Sequence, residues 1–278
     1  MPELPEIQAH AERLHRDFAG ARLERFVPLA FTALKTATPP ADSTHGHDVV
    51  FIGRRGKYLL IDVGVATFVL HLMQGGRLLV DENQAARPRN GQARWLFADG
   101  RALLLTEAGT ERRAGVWVVA DDPEEQPPLD VLGPDADTVG VDGLQALLEA
   151  HPMRLHGFLR DQRVIAGLGR RLANEICHRA QLSPFASTAA LDRDDVKRLA
   201  EAIAVCINEG LAYERGLGAM SASADRPGNV HHRIGEPCPR CGDAIRSVEY
   251  ARYTIAYCPT CQTGGRVLAD NTTSKFLK

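Results

Sequence analysis

Residues 238–261 read CPRCGDAIRSVEYARYTIAYCPTC. Two Cys-x-x-Cys pairs are separated by sixteen residues. Two residues between thiols let one tight turn aim both sulfurs at one metal, and a second turn completes a tetrahedron. Four protein ligands leave no open coordination position. Cys238, Cys241, Cys258 and Cys261 are therefore expected to hold one structural Zn²⁺. Between the pairs, 244–248 and 253–257 are expected to form a hairpin. So short a segment has no apolar core of its own, and the metal would fix its fold. A redox use of the Cys-x-x-Cys pairs lacks the strand–helix context it needs. Cys177 and Cys206 fall on helical patterns and read as core residues.

Toward the N-terminus from this segment, apolar spacing predicts helices near 143–150, 153–160, 170–181 and 188–209, with Gly167-Leu168-Gly169 ahead of the third. Residues 213–233 are rich in Gly, Ser and Ala and read as a mobile loop. Residues 121–150 hold nine acidic and no basic residues and read as a connector. Before them, short apolar runs near 49–52, 58–63, 67–72, 77–80, 94–97, 102–106 and 116–119 predict strands, with Asp99-Gly100 as a hairpin turn. Closely spaced short strands suggest a sandwich or barrel. At the start, Ile7, Ala11, Leu14 and Phe18 share one helical face, and Pro5 suits a first turn.

The 278-residue length suits about two domains. Hydrophobic residues at 44% and charged residues at 24% exclude wholesale disorder. No apolar run approaches the ~18 residues of a membrane span, and MPELPEIQAH has neither the basic region nor the apolar core of a secretory signal. The expected compartment is the cytosol, with no membrane partner. The net charge of −2 argues at first against a nucleic-acid partner, but outside 121–150 the chain carries 33 Lys+Arg against 26 Asp+Glu. A basic body of this kind can bind phosphate on one face.

Pro2 directly follows the initiator Met. Its removal would leave a secondary amine, partly neutral near pH 7 because α-amino groups titrate near 8. Such an amine can attack an electrophilic carbon and form an iminium. Glu3 and Glu6 stand close by as acids or bases. An alternative reading is a plain helix start with acidic residues favoured by the dipole.

MPELPE at 1–6, RRGKYLL at 54–60, AGLGRRLANE at 166–175 and the four-cysteine finger together resemble the formamidopyrimidine-DNA glycosylase / endonuclease VIII family, in order and spacing over about residues 1–262. The resemblance implies an α+β fold: an N-terminal β-sandwich with an N-terminal helix, then a helical domain carrying a helix–two-turn–helix and a β-hairpin zinc finger. The implied layout is 1–120 catalytic sandwich, 121–142 acidic linker, 143–234 helix–two-turn–helix domain, 235–262 finger and 263–278 tail. It also implies a bifunctional DNA glycosylase and abasic-site lyase of base excision repair, acting on damaged DNA as a monomer, near the nucleoid, without an organic cofactor.

Carried over by position, Pro2 resembles the nucleophile that attacks C1′, Glu3 the acid that assists ring opening, and Glu6 the supporting carboxylate. Lys57 resembles the lysine that contacts phosphate and donates a proton in β-elimination. Arg252 resembles the finger arginine assigned to δ-elimination, the match requiring a one-residue insertion before Cys258. His71 matches a phosphate-contacting histidine, and Asn174 and Glu175 the family's helix motif. Arg170 stands where the family usually has Asn, and His231 where it has Tyr.

The departures fall where damage is read. Gln74 stands at the position of an apolar Met, Arg112 matches an Arg, and Ala114 replaces a Phe wedge. The MPELPE start favours oxidised purines. Two alternatives stay open: endonuclease VIII-like action on oxidised pyrimidines, abasic or single-stranded sites, and a non-catalytic zinc-finger DNA binder. The loss of two apolar fillers leads to an expected preference for unpaired over well-paired sites, because extruding a base costs a few kcal/mol.

Overall fold

A computed structural model describes residues 1–221, 225–250 and 253–268. The chain divides into two compact units, Met1–Val131 and Leu132–Lys278. The division falls inside the acidic stretch. No helix among the described residues is long and apolar enough to cross a membrane.

The N-terminal unit opens with α1 (Leu4–Phe18), whose face of Leu4, Ile7, Ala11, Leu14 and Phe18 is buried as its spacing predicts. Eight strands follow: β1 (Leu23–Pro28), β2 (Phe51–Arg55), β3 (Tyr58–Asp62), β4 (Thr67–His71), β5 (Gly76–Val80), β6 (Gly91–Phe97), β7 (Ala102–Glu107) and β8 (Gly115–Val119). They form two antiparallel four-stranded sheets, ordered β1-β6-β7-β5 and β2-β3-β4-β8. Phe26 and Trp95 from the first sheet meet Phe68 from the second with ring centroids 5.0–5.7 Å apart, which makes the pair a sandwich with an aromatic centre. Helix α1 lies along β2: Arg54 Nε donates to Gln8 Oε1 at 2.8 Å and the Ile52 amide to His15 Nδ1 at 3.2 Å. The N-terminus of α1 thus lies toward the Arg55 end of β2. The strand β1 was not among the expected ones. A bulge between Leu23 and Arg25 breaks its alternation and hides it from a period-two pattern.

The C-terminal unit contains α2 (Val141–Ala150), α3 (Leu155–Phe158), α4 (Arg170–Arg179), α5 (Arg193–Arg215), the hairpin β9 (Arg246–Tyr250) and β10 (Tyr253–Tyr257), and α6 (Pro259–Thr263). The expected helix at 188–209 resolves into a 3-10 turn at Thr188–Ala190 and α5. Asp192 separates them by accepting from the amides of Asp194 and Asp195 as an N-cap, with Asp195 returning a bond to its backbone. Cys177 and Cys206 are buried. Burial pushes the Cys206 thiol up to about 12 and the Cys177 thiol higher still.

Part of the expected mobile loop is pinned. Glu175 accepts from the amides of Asn229, Val230 and His231 and from Asn229 Nδ2 at 2.8–3.0 Å. Arg171 donates to the carbonyls of Arg226 and Pro227. Burial opposes charge on Glu175, but these donors outweigh it and hold the carboxyl below its usual range. The expected polar tail also begins later than 263. Gln262 is buried, accepting from the Cys258 amide and donating to the Leu182 carbonyl, and the Leu268 amide reaches Tyr257 Oη at 2.8 Å.

Candidate active site and zinc centre

In the N-terminal unit, one end of the sandwich gathers the residues expected to act. The Glu3 amide donates to Glu6 Oε2 at 2.9 Å, and the Glu6 amide donates back to the Glu3 carboxylate. This reciprocal capping box uses two glutamates where Ser and Glu are commoner. It fixes residues 2 and 3 at the positive end of the α1 dipole. Pro2, Glu3 and Glu6 are all buried.

Lys57 sits in the two-residue turn joining β2 to β3, where Arg55 faces Tyr58 and Gly56 supplies a positive φ of 55°. The Lys57 side chain is buried to 7% exposure. His71 closes β4 directly across from Tyr58, their rings 4.7 Å apart edge to face. Burial, the Lys57 ammonium and the amino terminus of the chain lower the His71 pKa to about 4. The imidazole is therefore neutral near pH 7. Its Nδ1 accepts from the Met73 amide at 3.1 Å, so Nε2 carries the proton and is a neutral donor.

The three positions expected to read damage lie on two loops at the same end. Gln74 is exposed in the turn from β4 to β5. Gly75 and Gly76 are required there, because a Cβ at either would come within 2.3 Å of the Ala108 or 2.1 Å of the Leu72 carbonyl oxygen. Arg112 is exposed in the loop from β7 to β8. Ala114 is different. It is 1% exposed, and its amide donates to Glu107 Oε2 at 2.7 Å. In this chain the wedge position faces inward and is not a gap on the surface.

In the C-terminal unit, Arg170 opens α4 and is half-buried. Asn174, fully buried one turn later, pairs its Nδ2 with His231 Nδ1 at 2.9 Å. Sequence reasoning missed three neighbours: His156, Arg160 and Tyr253. His156 on α3 is 1% exposed and its ring is parallel to Tyr253 (9°) at 6.2 Å, while the Arg160 guanidinium lies 4.2 Å from the Tyr253 ring centroid. Burial and the Arg160 charge lower His156 to about 3. Burial and the adjacent His232 lower His231 to about 3. The one sequence signal was a polar His between Leu155 and Phe158 on an otherwise apolar face. Arg252 lies outside the described residues.

The sulfurs of Cys238, Cys241, Cys258 and Cys261 all lie within 4.8 Å of one another, with Cys241 and Cys258 at 3.4 Å and Cys238 and Cys261 at 3.9 Å. A Zn–S bond of ≈ 2.3 Å in a tetrahedron requires sulfurs about 3.8 Å apart, so the set fits Zn²⁺. Burial and the neighbouring thiols push Cys258 up to about 11 and Cys261 further. Thiols crowded in this way ionise together only around a cation.

Comparison with known proteins agrees with this geometry. The family model described as the formamidopyrimidine-DNA glycosylase N-terminal domain matches residues 1–117, and that of the zinc finger found in FPG and IleRS matches 235–264. A formamidopyrimidine-DNA glycosylase of Geobacter metallireducens is 31% identical over 278 aligned residues, covering 95% of this chain and 100% of the relative. The chain belongs to the formamidopyrimidine-DNA glycosylase family. A Mycobacterium tuberculosis protein described as an uncharacterized formamidopyrimidine-DNA glycosylase-like protein is 42% identical over 149 residues, 53% of this chain and 94% of that one. The crystal structure of MutM (Fpg) from Thermus thermophilus is similar with a TM-score of 0.78 at 27% identity, covering 94% of this chain and 98% of that one. The Lactococcus lactis glycosylase bound to DNA containing an AP site shares the fold with a TM-score of 0.80 at 20% identity, covering 94% and 99%. The four cysteines are thus the zinc finger of this glycosylase family.

Proposed function

We propose that this member of the glycosylase family removes oxidised bases, oxidised purines foremost, and then cleaves the abasic strand through Pro2. The observation that carries the reading is the Glu3–Glu6 capping box. It fixes Glu3, the residue bonded to Pro2, and its carboxylate at the start of α1, on the side of the strand ends that carry Lys57 and His71.

With Met1 removed, the Pro2 nitrogen attacks C1′ of the damaged nucleoside. The C1′–base bond breaks and the base leaves with its electron pair and a proton. Glu3, as the acid, protonates the ring oxygen as the sugar opens to an iminium between Pro2 and C1′. The iminium acidifies C2′. Loss of that proton expels the 3′-phosphate, and a second elimination expels the 5′-phosphate. Lys57 donates a proton in the first elimination, and its charge stabilises the departing phosphate. Arg252 serves the second. Water hydrolyses the final iminium and returns the free secondary amine with release of a proton. His71, neutral with a proton on Nε2, hydrogen-bonds a phosphate oxygen without competing for the substrate's proton. Arg170 and His231 contribute phosphate contacts, and fully buried Asn174 positions His231 through the Nδ2···Nδ1 contact.

An excision panel over 8-oxoguanine, formamidopyrimidine, thymine glycol and abasic sites, paired and single-stranded, tests this reading. Oxidised purines are expected to be the best lesions, and Glu3→Gln is expected to lose base excision while keeping DNA binding. Excision unaffected by Glu3→Gln contradicts the assignment.

A further inference from the structure

The loop that follows β1 carries Phe31 fully in solvent, at 101% relative exposure. Every other Phe, Tyr and Trp among the described residues is at least partly covered, including Phe51, which rests 5.1 Å from the His15 ring. A fully wetted Phe gains nothing for folding. Yet the loop that holds it is tied down on both sides. The amides of Leu29 and Ala30 both donate to the Gln92 carbonyl at 2.9 and 3.0 Å, and the Ala33 amide donates to Ala30. The Val116 amide donates to Ala33 and the Lys35 amide to Val116, both at 2.8 Å. Phe31 is the tip of an anchored turn.

Its place gives it a use. Val116 follows Gly115, which pairs with His71 at the end of β4. The Ala108 amide donates to the Gly75 carbonyl at 3.2 Å, joining the base of the Arg112 loop to the Gln74 turn. Phe31, Gln74 and Arg112 therefore rise from one end of the sandwich, the end that carries Lys57 and His71. Ala114, facing inward on Glu107, offers that end no aromatic surface.

We propose that Phe31 is the aromatic probe of this enzyme, stacking on a base of duplex DNA at the damaged position. The role rests on the reading of the site as a DNA glycosylase and names the contact by which that site holds a duplex open. Every base has a π-face, so an exposed ring serves any sequence. An apolar wedge between base steps is a general way to keep a nucleotide extruded. Arg112 and Gln74 on the neighbouring loops supply donors for the edge of the base left without a partner. The expected preference for unpaired sites rested on the loss of apolar fillers at positions 74 and 114. With Phe31 in the set, a paired duplex becomes a competent substrate, and that preference is instead the expected behaviour of a Phe31 variant.

The experiment measures single-turnover cleavage at an abasic site in a paired duplex and in a bubble of the same sequence, with borohydride trapping in parallel. Phe31→Ala is expected to lower the duplex-to-bubble rate ratio roughly tenfold, within the range for loss of one base–aromatic stack. Phe31→Trp is expected to keep the wild-type ratio. Phe31→Leu, apolar without a π-face, falls between. An unchanged ratio in Phe31→Ala, with wild-type cleavage intact, overturns the role of Phe31 and leaves the glycosylase reading standing. A wild-type protein that neither cleaves nor is trapped on either substrate overturns the glycosylase reading, and the stacking role with it.

Discussion

His178 Nε2 lies 3.3 Å from Cys238 Sγ, both side chains buried, so helix α4 reaches directly into the sulfur cluster of the finger. A ring N–H donated to a metal-bound thiolate fixes the ligand and spreads its charge, as partners behind first ligands do in other metal sites. His178→Ala is expected to release zinc to a colorimetric chelator ~10–100-fold more readily than the wild type. His178→Gln, which keeps a donor, is expected to recover part of the difference. Metal analysis on the wild type should give about one zinc per chain, as one four-thiolate site requires. Equal release from all three proteins would show that the 3.3 Å contact is packing only.

Acid is expected to destabilise the protein well before its carboxylates titrate. His10 is buried, bonded through Nε2 to the Leu78 carbonyl at 2.8 Å, and lowered to about 4 by burial and the Arg13 charge. A histidine depressed in the fold stays neutral while the unfolded chain takes up a proton below its ordinary pKa of ≈ 6.5. Stability is thus fully present above about 6.5 and falls as pH drops toward about 4. His71 behaves alike in the same unit. Thermal scans between these limits are expected to show a falling midpoint, with a shallower slope in His10→Gln. The same slope in both proteins would contradict the role of His10.

Ala114→Phe is expected to harm the N-terminal unit and not to restore a wedge. The position is 1% exposed, and its amide is held by Glu107 at 2.7 Å. Forcing a ring into such a site costs ~1–3 kcal/mol. A midpoint lowered by several degrees is the expected result. A stable variant with faster excision from paired duplex would show that the loop turns outward to accommodate the ring.

Glu175→Gln keeps the shape of the side chain but places an amide where a carboxylate accepts four donors from 229–231. Bonds to a charged group contribute ≈ 1.5–3 kcal/mol each. Faster hydrogen exchange at residues 229–231 is expected, with α5 unaffected. Unaltered exchange would mean that Arg171, bonded to the carbonyls of 226 and 227, holds the segment alone.

What the sequence made legible depended on how locally each feature is encoded. The finger and the face of α1 are written in spacings of three to four residues, and both fold as read. The strands were recognisable where alternation is intact and invisible at β1, where a bulge interrupts it. The Glu175 anchor links residues 54–56 positions apart, and the stacking of His156 on Tyr253 joins α3 to the finger hairpin. No local pattern encodes such contacts. The inward turn of Ala114 depends on a carboxylate seven residues earlier, and the exposure of Phe31 on anchors at Gln92 and Val116. A one-for-one match to family positions therefore carries no information on whether a matched side chain faces inward, as Ala114 does, or out to solvent, as Gln74 and Arg112 do.

The residue 2 nitrogen as nucleophile is tested most directly by reducing a mixture of the protein and lesion-containing DNA with borohydride and mapping the adduct by mass spectrometry. A single covalent link to Pro2 is expected in a chain lacking Met1, retained at reduced yield in Pro2→Gly, which still presents an amine. An adduct on Lys57 or another lysine, or an active enzyme that yields no adduct, would contradict it.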